Sequence, residues 1–323
     1  MSRHGGRRFA GKDADRGAGG PTVPGRRTPM SDERVGGRWV AERLFDRIGL
    51  RMTFAAGRVL DERRTAYQDL LLFEHRHLGK VLMLDGALQL TGGDEFIYHE
   101  MMAHVPILAH GRAREVLIIG GGDCGIAEEA LKHKSVARVT QVEIDAAVVE
   151  LARAHFPELA GPALADKRFD LVVADGRDFV AASPRRFDVV IVDSTDPQGP
   201  GAVLFGKAFY AAVKRRLAPG GVLVTQSGVP FLQPDELATS VGHLHGLFAD
   251  AGCYVAAVPT YVGGHLAMGW ATDNIRLRGL SARTIGERYR RAGRFALRYW
   301  TPAVHVAAFA LPRYIAALVD RLR

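Results

Sequence analysis

From about Thr53 the chain alternates strand-length apolar runs with turn residues. The segments Tyr67 to Glu74, Lys80 to Leu84 and Ala87 to Thr91 are separated by Leu78-Gly79 and by Asp85-Gly86. An Asp-Gly pair between two apolar runs is a strong two-residue hairpin signal, because both turn residues need positive φ. The pattern predicts a small antiparallel sheet. Thr91-Gly92-Gly93-Asp94 then breaks it, and Asp94 is placed to cap a helix starting at Glu95, whose Ile97, Met101, Val105 and Leu108 share a face.

From Arg114 the pattern changes to strands separated by amphipathic stretches. Strands are predicted at Val116 to Gly120, Arg138 to Glu143, Phe169 to Ala174, Val189 to Asp193 and Val222 to Gln226. Helices are predicted at Gly125 to His133, Ala146 to His155 and Lys207 to Leu217, the last ended by Pro219-Gly220-Gly221. This is the βα alternation of an α/β fold on a parallel sheet. Three regions follow: a leader over 1–37, a small N-terminal antiparallel β domain with a linking helix over 38–112, and a Rossmann-like doubly wound domain over 113–323.

Composition changes the picture mainly at the leader. The net charge of +8 points to nucleic acid until it is apportioned. Residues 1–29 carry seven Lys/Arg against Asp13 and Asp15, a net of +5, which leaves +3 for everything else. The folded part is nearly balanced, so no nucleic-acid partner is expected. The leader, rich in Gly and Arg and poor in large apolar residues, is read as disordered. Met30-Ser31-Asp32-Glu33 looks like a natural start, so the leader reads as a start-site error, with a transit peptide as the alternative. No apolar stretch has signal-peptide or membrane-spanning length. Cys124 and Cys253, 129 positions apart, support neither a disulfide framework nor a thiolate zinc site, and the expected compartment is reducing cytoplasm.

The chemistry gathers after the predicted strands. Gly120-Gly121-Gly122-Asp123-Cys124-Gly125 follows an apolar strand and opens a helix, so its backbone can approach a ligand closely. It fits GxGxxG, and Glu143 stands where a dinucleotide fold wants an acid for the ribose hydroxyls, which keeps nicotinamide binding open. Asp175 follows the third strand and Asp193 ends the fourth. In an open parallel sheet the strand carboxyl ends border one crevice, so Asp123, Glu143, Asp175 and Asp193 are expected to converge on one ligand. Each acid alone reads equally well as a helix cap or a solvated loop carboxylate. Four in register point to a cationic ligand, such as a nucleoside sulfonium carrying an amine, because Asp123 and Asp193 would repel a pyrophosphate.

From about Gln68 to Leu311 the sequence resembles the polyamine aminopropyltransferases, in particular the bacterial spermidine synthases. The resemblance is carried by Tyr67-Gln68-Asp69, Asp94-Glu95-Phe96-Ile97-Tyr98-His99-Glu100-Met101, Leu117-Ile118-Ile119-Gly120-Gly121-Gly122-Asp123, Val142-Glu143-Ile144-Asp145, Asp193-Ser194-Thr195-Asp196-Pro197 and Pro259-Thr260-Tyr261. It implies a class I methyltransferase-type catalytic domain and a homodimer or homotetramer. It also implies transfer of an aminopropyl group from decarboxylated S-adenosylmethionine, a co-substrate, to putrescine, with no cofactor and no metal. Position by position, Gln68, Glu143, Asp175, Gly176 and Pro200 match residues that hold the donor nucleoside, and Asp123 matches the carboxylate that grips its amine. Tyr98, His99, Asp196 and Tyr261 match the polyamine channel, and Asp193 the proton acceptor. Cys124 stands where the family usually has Gly, and a reactive thiol there is the lesser reading.

Rival readings are another acceptor amine (agmatine, cadaverine or spermidine), a non-catalytic polyamine-binding protein and, more distantly, an NAD-dependent oxidoreductase. The loop Asp196 to Gly201 is a candidate lid. His99-Glu100-Met101-Met102-Ala103-His104 resembles HExxH, but its histidines are five apart and do not share a helical face, so zinc is not expected.

Overall fold

The computed structural model describes residues 37–195 and 199–320. The predicted leader lies outside the described residues except for Gly37. Strands β1 (Arg38–Ala41) and β2 (Thr53–Ala56) pair antiparallel, and β3 (Val59–Arg64), β4 (Asp69–His75), β5 (Gly79–Leu84) and β6 (Ala87–Thr91) form an antiparallel sheet in chain order. The Asp-Gly hairpin is as predicted: Leu84 pairs with Ala87, and Asp85 and Gly86 both take positive φ, 49° and 77°.

Helix α1 (Glu95–His110) follows, with every residue from Ile97 to Ala109 buried. The sequence shows one apolar face; the structure packs the helix between the large sheet and other helices, so its polar residues must find partners inside. Asp94 corrects a prediction. It makes no side-chain cap to α1. Its buried carboxylate instead accepts from Thr91 Oγ1 at 2.5 Å, from the Thr260 amide at 2.9 Å and from Thr260 Oγ1 at 2.8 Å. Tertiary folding delivers these donors, and they satisfy the carboxylate in place of the helix's first turn. Glu100, also buried, accepts from the amides of Arg298, Tyr299 and Trp300 at 2.7, 2.9 and 2.6 Å, which ties the C-terminal part of the chain to α1.

The large domain continues β7 (Glu115–Gly120), α2 (Gly125–Leu131), β8 (Arg138–Glu143), α3 (Ala146–His155), α4 (Pro157–Ala165), β9 (Phe169–Val173), α5 (Gly176–Ala182), β10 (Phe187–Asp193), a 3-10 helix (Gly199–Phe205), α6 (Lys207–Arg216), β11 (Leu217–Gln226), α7 (Pro234–His245), β12 (Asp250–Ala256), β13 (Leu266–Thr272), α8 (Ala282–Ala292), α9 (Pro302–Ala307) and α10 (Arg313–Asp320). The predicted strands and helices of this region are present, most with ends shifted by one or two residues; β11 begins five residues earlier than predicted, at Leu217, so Pro219-Gly220-Gly221 lies within the strand, where its pairing with β10 is irregular. Its seven strands are ordered β9-β8-β7-β10-β11-β13-β12, which is 3-2-1-4-5-7-6 in chain order. The first five are parallel, and β13 runs antiparallel between β11 and β12. Val116 and Ile118 of β7 enter the core on one face and Leu117 and Ile119 the core on the other. Burial on both faces explains the unbroken apolar run of that strand. The order reverses between β7 and β10, which opens a crevice beyond Gly120 and Asp193. Among the described residues no helix is long and apolar enough to cross a membrane.

Candidate active site

The glycines after β7 are set by the approach of two strand ends. Gly120 and Gly121 have φ of +85° and +67°, and the Gly121 amide donates to the Asp193 carbonyl at 3.0 Å. A Cβ on Gly120 would lie 2.0 Å from that carbonyl oxygen, and one on Gly121 would lie 2.8 Å from Asp193 Oδ2. No other residue fits, and the close approach brings the Asp193 carboxylate over the loop that carries Asp123.

Asp193 accepts a 2.5 Å hydrogen bond from the Tyr98 hydroxyl on α1. Burial and the neighbouring Asp123 charge push its carboxyl up to about 7, against the pull of Tyr98 and His99. Asp123 Oδ1 accepts from the Gly125 amide at 2.6 Å and lies 3.3 Å from His99 Nε2. The other ring nitrogen of His99, Nδ1, is 2.9 Å from Glu95 Oε2 one turn back along α1. Burial penalises the imidazolium, but Asp123 and Glu95 on its two sides outweigh that and hold His99 well above the ordinary histidine value. His99 is thus buried between two carboxylates that favour its protonated form. Tyr261 donates to the Gln89 carbonyl at 2.5 Å and meets Tyr98 edge-on, ring centres 6.1 Å apart.

Further along the rim, Glu143 ends β8 and its Oε1 accepts from the Asp145 amide at 2.9 Å. Burial, with the charges of Asp145 and Asp193, pushes Glu143 up to about 7 despite the backbone donors of Asp145 and Ile144. Asp175 caps α5, accepting from the amides of Arg177 and Asp178 at 2.7 and 3.4 Å, and still lines the crevice. Cap and site residue were alternative readings of this acid; it has both positions. A Cβ on Gly176 would lie 2.4 Å from Ile119 Cγ2, so helix and strand touch there. Gln68, from the loop between β3 and β4, closes the crevice from the small domain.

One cavity is thus lined by Gln68, Tyr98, His99, Asp123, Glu143, Asp175, Gly176, Asp193 and Tyr261. Asp196 lies outside the described residues, as does the first part of the candidate lid; Pro200 falls in the 3-10 helix Gly199–Phe205.

Residues 95–278 match the spermine/spermidine synthase domain, and residues 39–92 match the spermidine synthase tetramerisation domain. The chain belongs to the spermine/spermidine synthase family. Polyamine aminopropyltransferase 1 of Pseudomonas aeruginosa is 49% identical over 280 residues, covering 87% of this chain and 97% of that protein. The polyamine aminopropyltransferase of Salmonella schwarzengrund is 51% identical over 274 residues, covering 85% of this chain and 95% of its own. Among solved structures, a spermidine synthase in complex with the transition state analogue AdoDATO superposes with a TM-score of 0.82 at 32% identity, covering 88% of this chain and 95% of that one. Spermidine synthase from Thermotoga maritima, at 32% identity and the same coverage, gives 0.81.

In this aminopropyltransferase the structure also shows what sequence reasoning missed. Glu95 and Asp145 stood inside quoted motifs but had no assigned task; they hold His99 and Gln68. Gln89 and Gln226 line the cavity from β6 and β11, and only the tertiary fold brings them there. His104 is separate from the site. Its Nδ1 is 2.8 Å from His133 Nε2 and its Nε2 is 2.9 Å from Glu129, in a buried cluster between α1 and α2.

Cys124 takes the left-handed conformation (φ 66°) at the start of α2, where a glycine would cost least. Its thiol is buried, and burial with the nearby Asp123 and Glu143 charges pushes it up to about 12; burial does the same for Cys253. Both are expected to be inert, since burial withholds the thiolate. Iodoacetamide at pH 8 is expected to leave both thiols unmodified by intact mass and turnover unchanged; rapid single alkylation with loss of activity would restore the reactive-thiol reading.

Proposed function

We propose that this enzyme is a spermidine synthase, moving the aminopropyl group of decarboxylated S-adenosylmethionine to putrescine and releasing spermidine and S-methyl-5'-thioadenosine. One observation carries the reading: two carboxylates meet in a single crevice in different electrostatic settings. Asp123 is anchored by a backbone amide and by His99, whereas Asp193 is partly buried with its carboxyl pushed up to about 7.

The donor nucleoside is held by Gln68, Glu143, Asp175, Gly176 and Pro200, and Asp123 receives the ammonium of its aminopropyl arm. The acceptor lies against Tyr98 and Tyr261, whose ring faces suit a methylene chain, with His99 beside them, and Asp196 is assigned to the same amine on the resemblance alone. An alkylammonium with a pKa near 10.4 is only about one part in a thousand neutral at pH 7, so the attacking amine must lose a proton. Asp193 takes it, and the rise toward 7 makes this aspartate a better base than a solvated one. The amine lone pair then forms the new C–N bond, and the C–S pair departs onto sulfur. Positive charge passes from sulfonium to ammonium between carboxylates that stabilise it on both sides. A sulfonium carries its own leaving group, so the displacement needs neither a redox cofactor nor a Lewis acid. We assign a homo-oligomer, dimer or tetramer, on the strength of the match at residues 39–92, and a cytoplasmic setting on the two unpaired thiols.

Incubation with the decarboxylated donor and equimolar putrescine, cadaverine, agmatine and spermidine tests this. Mass spectrometry is expected to find newly made spermidine as the main product, with an equivalent of methylthioadenosine. A main product built on another amine would replace the acceptor, and amine binding without methylthioadenosine release would mark a polyamine-binding protein.

A further inference from the structure

Asp145 has no contact role in the reaction above, yet its carboxylate is the junction of the two domains beside the crevice. It is 3% exposed. Oδ1 accepts from the Ala147 amide at 3.1 Å and caps α3, while Oδ2 accepts from Thr65 Oγ1 at 2.8 Å and from Gln68 Nε2 at 3.0 Å. The Asp145 amide meanwhile donates to Glu143 Oε1 at 2.9 Å. One residue thus touches both side chains assigned to the nucleoside from opposite domains.

We propose that Asp145 is a positioning residue for the donor, setting which end of the Gln68 amide faces the crevice. An ionised carboxylate only accepts hydrogen bonds, whereas a glutamine amide has a donor end and an acceptor end. Asp145 takes the donor end, so Gln68 turns its Oε1 toward the cavity it lines, and the site presents an acceptor to a hydroxyl or amino group of the ligand. Thr65 reinforces the order. Its single hydroxyl proton goes to the charged Asp145, the stronger acceptor, so the lone pairs of Oγ1 are left to accept from the amides of Tyr67 at 3.0 Å and Gln68 at 3.1 Å. The backbone that carries Gln68 is thereby fixed along with its side chain.

This inference rests on the reading of Gln68 as a nucleoside ligand, and the test separates the two. Asp145→Asn keeps an oxygen that can cap α3, since Asn is as good a cap as Asp. Its amide, however, offers a donor to Gln68, which turns over and points its own NH2 at the nucleoside. Calorimetric titration with methylthioadenosine is expected to show Kd raised about 10- to 100-fold, the cost of one hydrogen bond replaced by a mismatch. The KM of the donor rises in step, while the KM of the amine, kcat and the ligand-free thermal midpoint stay near wild type. Gln68→Ala gives a similar loss, and the double variant binds no more weakly than Gln68→Ala alone. Unchanged methylthioadenosine affinity in Asp145→Asn, additive losses in the double variant, or an equal rise in the amine KM each overturn the assignment. If the wild-type enzyme itself fails to bind methylthioadenosine, the donor reading falls first and this assignment with it.

Discussion

Asp193→Asn is expected to lose turnover by about 10² to 10⁴, the range for removing a general base, while its affinity for the donor nucleoside is retained. The same substitution is expected to stabilise the protein, in a pH-dependent way. The Asp193 carboxyl is raised from 3.8 to about 7 in the folded state, chiefly by burial. Below pH 4 it is protonated in folded and unfolded chains alike and costs nothing. Between 4 and 7 the unfolded chain ionises it and the folded chain does not, so wild-type stability falls as pH rises. Above 7 the penalty is constant, about 4 kcal/mol at 1.36 kcal/mol per unit. Asparagine escapes this cost and its oxygen can still accept from Tyr98. Denaturant unfolding is thus expected to show the variant matching wild type at pH 4 and exceeding it by up to about 4 kcal/mol at pH 8. A pH-independent difference would remove the raised carboxyl, and near-normal turnover would remove Asp193 from the base role. The gain in stability with loss of activity is the trade-off of a site that stores an unfavourable charge.

Asp123→Asn is expected to erode the choice between donors. Ordinary S-adenosylmethionine carries a carboxylate where the decarboxylated donor has hydrogen. At about 4 Å from Asp123 and an effective dielectric near 20, that second negative charge is repelled by roughly 4 kcal/mol, nearly a thousandfold. On the proposed function the ammonium of the decarboxylated donor would be attracted by the same residue, so one carboxylate would both select and reject. Without its charge, the preference for decarboxylated over ordinary donor should shrink by about two to three orders of magnitude, read as the ratio of dissociation constants. A second readout follows from the neighbouring base. The Asp123 charge is one cause of the raised Asp193 carboxyl, so the rising limb of the pH–rate profile should move to lower pH. An unchanged donor preference would take Asp123 out of the amine site.

The succession of strands and helices along the chain, the Asp-Gly hairpin and the acids following successive strands were legible in the chain, because each depends on neighbours in sequence. Apolar periodicity reports burial locally, and the parallel βα pattern alone places strand ends along one rim, so Asp123, Glu143, Asp175 and Asp193 could be expected together before any coordinates. The oppositely directed β13 slotted between β11 and β12 was beyond such reasoning, since a strand's pairing partner lies outside its own periodicity.

What each polar group touches was decided by the tertiary structure. Asp94 read as a helix cap and binds Thr260 instead, 166 residues away. His99 read as a channel residue, and the structure adds its place between Glu95 and Asp123. Asp145 read as one letter of a motif and reaches Gln68 across 77 residues. The sequence determined which residue types arrive at the crevice. Folding decided their charge and orientation, because burial and the nearest opposite charge set a protonation state, and both are properties of three-dimensional distance.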